Sequence, residues 1–375
     1  MLHQITGFEG ILRAVPSGDA PRGQRIARDR VNAAKRAFTT RRADLSQALR
    51  ILTDGVPQAG DLVLARVTAL GQHQRLESPH GRRAQLYEGD EIIVAYGARY
   101  APDQFEAVVP SDLGPCDLVA GGGVASRVLS SHARMRRATR IEPIGLLADT
   151  DDDRINLARF ALPSLSVPKR RPRVIVVAGT SMNAGKTTAA AGLIHGLARA
   201  GLKVASAKVT GTGSGGDLWT MVDAGSRQAI DFTDMGHAST AGLSPEQVER
   251  VALSLIGHVA AGGPDTIVIE VADGVLQRET AALLRSSAFR DAIDGVLFAA
   301  GDALGAVAGR DWLVRERLPV IGISGLLSAS PLASREAAAA LDCEVLTLGQ
   351  LRDPAVAPKL CFAAEPLIQV SQVVA

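Results

Sequence analysis

Two rhythms of apolar and polar residues divide this chain. From Arg173 onward, nearly unbroken apolar runs ("RVIVVAG", "KVASAK", "DTIVIEV", "DGVLFAA", "PVIGISG", "CEVLTL") alternate with stretches of helical period such as "GKTTAAAGLIHGLARAG" and "SPEQVERVALSLIGHVAAGG". Continuous apolar strands are what parallel strands covered on both faces require. The pattern predicts a doubly wound, mostly parallel α/β sheet. Upstream the rhythm is shorter. "GDLVLARVTALG" alternates in the β manner, "RRAQLYEGDEIIVAYG" holds two short strands around Glu88-Gly89-Asp90, and "QFEAVVP" and "CDLVAGGGVASRVLSS" add segments with glycine breaks. Such spacing predicts a small β-rich, barrel-like domain. Residues from about Arg25 to Thr53 carry their charges at helical spacing and are expected to be helical. "SLSVPKRRPR", with two prolines and a basic cluster, reads as a linker. The expected organisation is a helical lead-in over 1–55, a β-rich domain over 56–168 and the α/β domain over 169–375.

Composition narrows the classes. The chain has 375 residues, 46% of them hydrophobic, so it can bury a large aliphatic core. With 41 basic against 39 acidic residues, nothing calls for nucleic acid or an anionic membrane as the main partner. The basic stretch near the N-terminus reads as a solvated helix face. Cys116, Cys343 and Cys361 form no C-x-x-C, so neither a disulfide framework nor a zinc site is suggested, and a reducing cytoplasm fits. "MLHQITGFEGILRAV" lacks the pattern of a signal peptide, and no run of eighteen apolar residues suggests a membrane span. The acidic Thr150-Asp151-Asp152-Asp153 reads as a solvated turn.

The chemistry concentrates in "GTSMNAGKTT", between an apolar strand and an alanine-rich helix. Strand, glycine loop, Gly-Lys-Thr and helix together make the P-loop arrangement. Its backbone N–H groups form an anion nest, and the helix beginning near Lys186 adds its dipole. Gly185 allows close approach to phosphate, Lys186 can reach β- and γ-phosphates, Thr187 can ligate Mg²⁺, and Thr188 can donate to the α-phosphate. Gly179 stands one position earlier than the first glycine of G-x-x-x-x-G-K-T, and Thr180 takes that place. The candidate phosphate cradle therefore comprises Gly179, Thr180, Ser181, Met182, Asn183, Ala184, Gly185, Lys186, Thr187 and Thr188. Lys208, Asp217 and Glu270 fall at or near the C-terminal ends of parallel strands, where ligands bind in open α/β sheets. Thr187, Asp217 and Glu270 offer the hard oxygens that Mg²⁺ requires.

The loop resembles the G-T-x-x-x-x-G-K-T of dethiobiotin synthetases and is similar to those of cobyrinate amidating synthases and MinD-like ATPases. Ser181 stands where the MinD branch carries a second lysine. The resemblance runs over about 174–325 and leaves the N-terminal half without a counterpart. It implies that Lys208 contacts the substrate and its carbamate, and that Asp217 and Glu270 help hold Mg²⁺. The "EVADGVLQRET" and "DFTDMGHAST" stretches depart from that family, so its biotin-precursor substrate is not expected. A weaker likeness is to the P-loop family that includes D-glutamate N-acetyltransferase.

These readings converge on an ATP- and Mg²⁺-dependent enzyme that phosphorylates or activates a small acceptor bearing a carboxylate or amine. Lys186, Lys208 and Asp217 are the expected catalytic groups. Lys208, Thr210, Gly211, Asp231 and His237 are the expected acceptor contacts, and 212–237 is expected to be a mobile substrate loop. His195 and His258 read as structural. A homodimer is expected. Two alternatives stay open: a nucleotide switch or assembly factor whose β-rich half binds a protein, and an acyltransferase whose P-loop holds a phosphate-bearing cofactor. The lack of an N-K-x-D motif argues against a GTPase.

Overall fold

The computed structural model describes residues 23–341 and 345–362. The stretch read for a signal peptide and Cys343 fall outside them.

The principal strands of the first half are β1 (Leu62–Ala69), β2 (Glu91–Tyr96), β3 (Phe105–Val108), β4 (Cys116–Ala120), β5 (Val124–Ser131) and β6 (Thr139–Ala148). β1 pairs antiparallel with β2 and β6, β2 runs parallel to β5, β5 pairs with β4, and β4 pairs with β6. The pairing returns to its starting strand, so a five-stranded barrel closes without an open edge. Alternate residues sort into two apolar clusters, Val63, Ala65, Ile92 and Val94 on one side, Leu62, Leu64, Ile93 and Ala95 on the other. The two strands expected around Gly89 do not pair with each other. Arg83–Gln85 pairs instead with Arg75–Glu77 as a separate hairpin.

The segment expected to be helical, 25–53, is mostly not. Its one α-helix is Arg28–Ala33, flanked by two-residue strands and 3₁₀ turns. Its strand Arg50–Leu52 pairs with β6, so it belongs to the barrel. Its basic side chains find individual partners rather than sharing a solvated face. Arg30 meets Glu91 at 2.8 Å, Lys35 meets Asp90, and Arg36 caps the Ala43 carbonyl at 2.6 Å. Such tertiary pairing overrides the local period.

Residues 161–172 carry no regular element and lie along the second domain. The Leu165 amide donates to Ser254 Oγ at 3.0 Å, and His258 Nε2 donates to the Pro163 carbonyl at 2.7 Å. The second half contains β7 (Arg173–Gly179), β8 (Val204–Lys208), β9 (Gln228–Asp231), β10 (Thr266–Glu270), β11 (Gly295–Ala299) and β12 (Val320–Ser324). They form one parallel sheet in the order β9-β8-β10-β7-β11-β12. Its principal helices are α1 (Lys186–Arg199), α2 (Gly216–Asp223), α3 (Pro245–Ala261) and α4 (Ala303–Arg315). Leu193, Ile194 and Leu197 of α1 pack on one sheet face with Ile175 and Val177. Val251, Leu255 and Val259 of α3 and Leu313 of α4 pack on the other with Val176, Ile267 and Phe298. α3 starts where its sequence says it should, with Pro245 at the first turn and a Ser244–Gln247 capping box. The last expected strand, "CEVLTL", is partly outside the described residues. Val345 makes a single parallel bridge to Ile323, and Leu348 already opens a short helix capped by Thr347. Among the described residues no helix is long and apolar enough to cross a membrane.

Candidate functional site

β7 ends at Gly179, and α1 begins at Lys186. Space and backbone geometry both require the two glycines that bracket this loop. A Cβ at Gly179 would stand 2.6 Å from the Ala299 carbonyl. Gly185 has φ +93° and packs against the Gly325–Leu326 backbone. Asn183 also takes a left-handed φ of +64°, a conformation tolerated by asparagine. Between these points Thr180 is tied to the Ala299 carbonyl and Ala184 to the Leu326 amide, 3.0 and 2.9 Å. The Lys186 ammonium is buried and donates to the Ser181 carbonyl at 2.7 Å; burial lowers its pKa, against the pull of Glu270 and Asp273.

Three of the expected residues meet at one point. Thr187 Oγ1 lies 3.1 Å from both Asp217 Oδ1 and Glu270 Oε1. Lys208, from the end of β8, pairs with Asp217 and approaches Glu270 Oε1 at 4.0 Å. Burial pushes the Glu270 carboxyl up to about 7, with the Asp217 carboxylate adding to it. Burial works against the Lys208 ammonium, but Asp217 and Glu270 outweigh it and raise its pKa. Glu270 Oε2 is buried and has no hydrogen-bond partner. An orphaned carboxylate oxygen beside a hydroxyl and a second carboxylate fits a hard divalent cation. Among the described residues no three His, Cys, Asp or Glu side chains form a metal-holding group. A Mg²⁺ ion here would therefore complete its shell with phosphate and water oxygens, as it commonly does.

The other expected contacts divide. Gly211 lines the cleft, with φ +130° and an added Cβ only 3.1 Å from Lys208 Cε. Thr210 is buried, and its hydroxyl accepts from the Ala272 amide at 2.9 Å, holding the ends of β8 and β10 together. Asp231 and His237 are not brought to the cleft. Asp231 is buried and accepts from Arg41 at 3.0 Å, while Asp234 accepts from the same guanidinium at 2.6 Å. These carboxylates anchor the N-terminal segment instead of an acceptor. The His237 imidazole is largely enclosed, and burial lowers its pKa. The expected 212–237 loop is not a loop throughout, since it contains α2 and β9. β9 escaped the sequence pattern because "QAID" is a short edge strand with only half its residues apolar.

The segment is also docked on the barrel. Glu77 accepts from the Gly215 amide at 2.6 Å and the Ser214 hydroxyl at 3.2 Å. The barrel thus roofs the P-loop. A cleft of about 1170 Å³ runs between them, with Lys186, Thr187, Thr188, Lys208, Asp217 and Glu270 on its floor and His73, Arg75, Arg99, Gln104 and Arg136 on its roof. Asn183 Nδ2 bonds Asp103 at 2.6 Å across the seam. Two participants escaped the sequence reading. Asp273, just past β10, lines the cleft with a positive φ of 63°, and burial raises its pKa against the pull of Lys186 and Lys208. Its signal was the Asp-Gly after the third strand. Arg99 is 7% exposed and carries no motif at all.

No protein-family model matches the chain, and no curated protein matches it in sequence. Solved structures do. The chain is similar to the signal recognition particle 54 kDa protein of Aeropyrum pernix in complex with GDP, at 16% identity over 52% of this chain and 47% of that one, TM-score 0.35. It is similar to the cell division protein FtsY of Thermotoga maritima, at 20% identity over 55% and 74%, TM-score 0.35. The kinase domain of the Escherichia coli tyrosine kinase ETK matches at 12% identity over 42% and 68%, TM-score 0.30. The match spans about half the length of the Aeropyrum protein.

Proposed function

We propose that the protein is an ATP- and Mg²⁺-dependent enzyme that activates or phosphorylates a small acceptor held between the P-loop domain and the barrel. The observation that carries this reading is the cleft itself. It continues from the phosphate loop past Lys208 and Asp273 to a polar roof, leaving room for a second molecule. Backbone amides of 180–185 and the Lys186 ammonium would hold the nucleotide phosphates. Mg²⁺, when bound by Thr187, Asp217 and Glu270, would neutralise charge on the phosphates. Lys208 would orient an anionic acceptor and stabilise charge that develops on the transferred group. Asp273, with a raised pKa, is suited to accept the acceptor's proton. The dethiobiotin-synthetase-like motif supports the same division of labour among Lys186, Lys208 and Asp217.

The test is Lys208→Ala, with nucleotide affinity and turnover measured on one sample. ATP affinity should hardly change, because Lys186 and the backbone nest remain. Turnover should fall on the order of 100-fold, the scale for losing one positioned electrostatic group. A parallel loss of both would move Lys208 into the nucleotide site and remove the acceptor role.

A second reading has one specific observation in its favour. Leu276, Leu304 and Leu326 are 82%, 79% and 60% exposed, and each is at or within two residues of backbone that packs on the phosphate loop at Thr180 or Ala184. An apolar rim suits a nucleotide-dependent assembly, with a second copy of the chain as the simplest partner. Sedimentation with and without MgATP separates the two. A change of mass with no acceptor-dependent turnover favours assembly.

A further inference from the structure

The roof of the cleft contains a charge that the protein leaves unanswered. Arg99 is 7% exposed, on a short strand (Arg99–Tyr100) beside β3. Its Nη2 donates to Gln104 Oε1 at 2.8 Å, and its Nη1 lies 3.4 Å from His73 Nε2. That ring nitrogen already faces the Val119 carbonyl at 2.9 Å, to which it must donate, so it is no acceptor for the guanidinium. Arg99 Nε is buried with no partner. No carboxylate of the described residues forms an ion pair with Arg99. Asp273, on the cleft floor, is the acidic group whose field reaches it. Burial drags the guanidinium down to about 10. A buried cation without an anion is costly, and a protein keeps one where a ligand supplies the missing charge.

We propose that Arg99, positioned by Gln104, forms a second oxyanion subsite that takes a carboxylate or phosphate group at the end of the ligand away from the P-loop. Both residues line the cleft that holds Lys186 and Lys208. The 101–104 turn that carries Gln104 is tied to the phosphate loop through Asp103 and Asn183 at 2.6 Å, so the two anion sites are held in one frame. Exposed Arg75 and Arg136 line the same wall and add positive field. Arg83 contributes less, because Glu77 takes its guanidinium at 3.0 Å. The proposal deepens the enzyme reading above and rests on it for one point, that the ligand's other anionic group lies at the P-loop.

Thermal melting of the full chain tests it, with inorganic phosphate and with succinate as probes against chloride at matched ionic strength. Wild type should be stabilised by at least one probe; the P-loop also takes phosphate, so the share that belongs to Arg99 is read in the Lys186→Ala background, where whichever probe acts tells phosphate from carboxylate. Lys186→Ala should keep part of that response, since Arg99 does not need the P-loop lysine. Adding Arg99→Gln to Lys186→Ala should remove what remains, while Arg99→Gln alone should melt in chloride at or above the wild-type temperature, because it removes a buried charge that no carboxylate pairs with directly. Arg99→Lys should raise the probe concentration needed for the same melting shift about 10- to 100-fold, the scale for losing hydrogen bonds to a charged group. The proposal is overturned if the Lys186→Ala, Arg99→Gln double variant responds as Lys186→Ala does, if Arg99→Gln melts lower in chloride or does not fold, or if Lys186→Ala abolishes the response. It is also overturned if wild type responds to neither probe. MgATP affinity measured on wild type stands apart: its absence sinks the enzyme reading while the anion arms remain readable.

Discussion

The residues on the cleft floor form a group of opposite charges in close contact. Lys208 sits between Asp217 and Glu270, and Asp273 faces Lys186 and Lys208 from the next turn. The backbone at Asp273 is held in a left-handed conformation at φ +63°, which costs energy for a non-glycine residue and suggests that its carboxylate is needed where it is. Asp273→Asn keeps the shape and removes the proton acceptor. We expect turnover to fall by about 10²- to 10⁴-fold with ATP affinity retained; wild-type turnover in a steady-state assay would exclude Asp273 as the base. His73 gives a separate, pH-dependent expectation. Burial, with Arg99 adding to it, pushes its imidazole down to about 4 from an ordinary 6.5. Below pH 6.5 the unfolded chain takes up a proton that the folded chain does not, so stability falls as pH drops toward about 4. The loss is on the order of 3 kcal/mol and the contribution is fully present above pH 6.5. Denaturant melts at pH 4.5 and 7 of wild type and His73→Gln check it, since the substitution should flatten that part of the pH slope. The P-loop was legible in the sequence because phosphate chemistry demands fixed residue types at fixed spacing, and the meeting of Thr187, Asp217 and Glu270 followed from strand ends that converge on it. Asp273 and Arg99 were not, because their roles come from burial and from the opposite wall.

At the scale of elements, β7 through β12 largely follow their apolar runs, whereas the N-terminal segment does not follow its charges. Arg41 shows why. It reaches across domains into Asp231 and Asp234, and its guanidinium also stacks 4.2 Å from the Phe38 ring. A long-range ion pair leaves no trace in local periodicity, so the segment read as a helix and Asp231 read as an acceptor contact. The same pairing makes a stability prediction. Arg41→Ala leaves the buried Asp231 without a cation and Asp234 with only Arg42 at 3.8 Å, which should destabilise by about 3 to 5 kcal/mol. Chemical denaturation is the measurement, and a change within error would mean that the network is solvated in solution. Arg41→Ala in combination with Asp231→Asn and Asp234→Asn should recover part of the loss, since no unpaired charge then remains.

The molecule as a whole joins two domains through backbone contact close to the cleft. Gly122, in the turn between β4 and β5, has no room for a side chain, because a Cβ there would stand 2.2 Å from the Gly213 carbonyl and 2.7 Å from Ser214 Cα. Gly213 is equally confined, with Thr39 Cγ2 at 2.4 Å from its would-be Cβ. Main chain cannot yield as a flexible side chain can, so Gly122→Val must push the barrel away from the 211–217 segment. Overpacking of this kind costs about 1 to 3 kcal/mol, which a domain of this size can survive. The consequence for function depends on which half makes which contact. The phosphate loop belongs wholly to the second domain, whereas the cleft proposed to hold the acceptor is bounded by both. Gly122→Val should therefore leave ATP affinity close to wild type and lower acceptor-dependent turnover by tenfold or more, the scale expected when reacting groups are misplaced by an ångström. Isothermal titration with MgATP and steady-state turnover on the same preparation make the comparison. Equal loss of both would mean that the barrel shapes the nucleotide site itself; loss of neither would leave the barrel without a part in the reaction and return weight to the assembly reading.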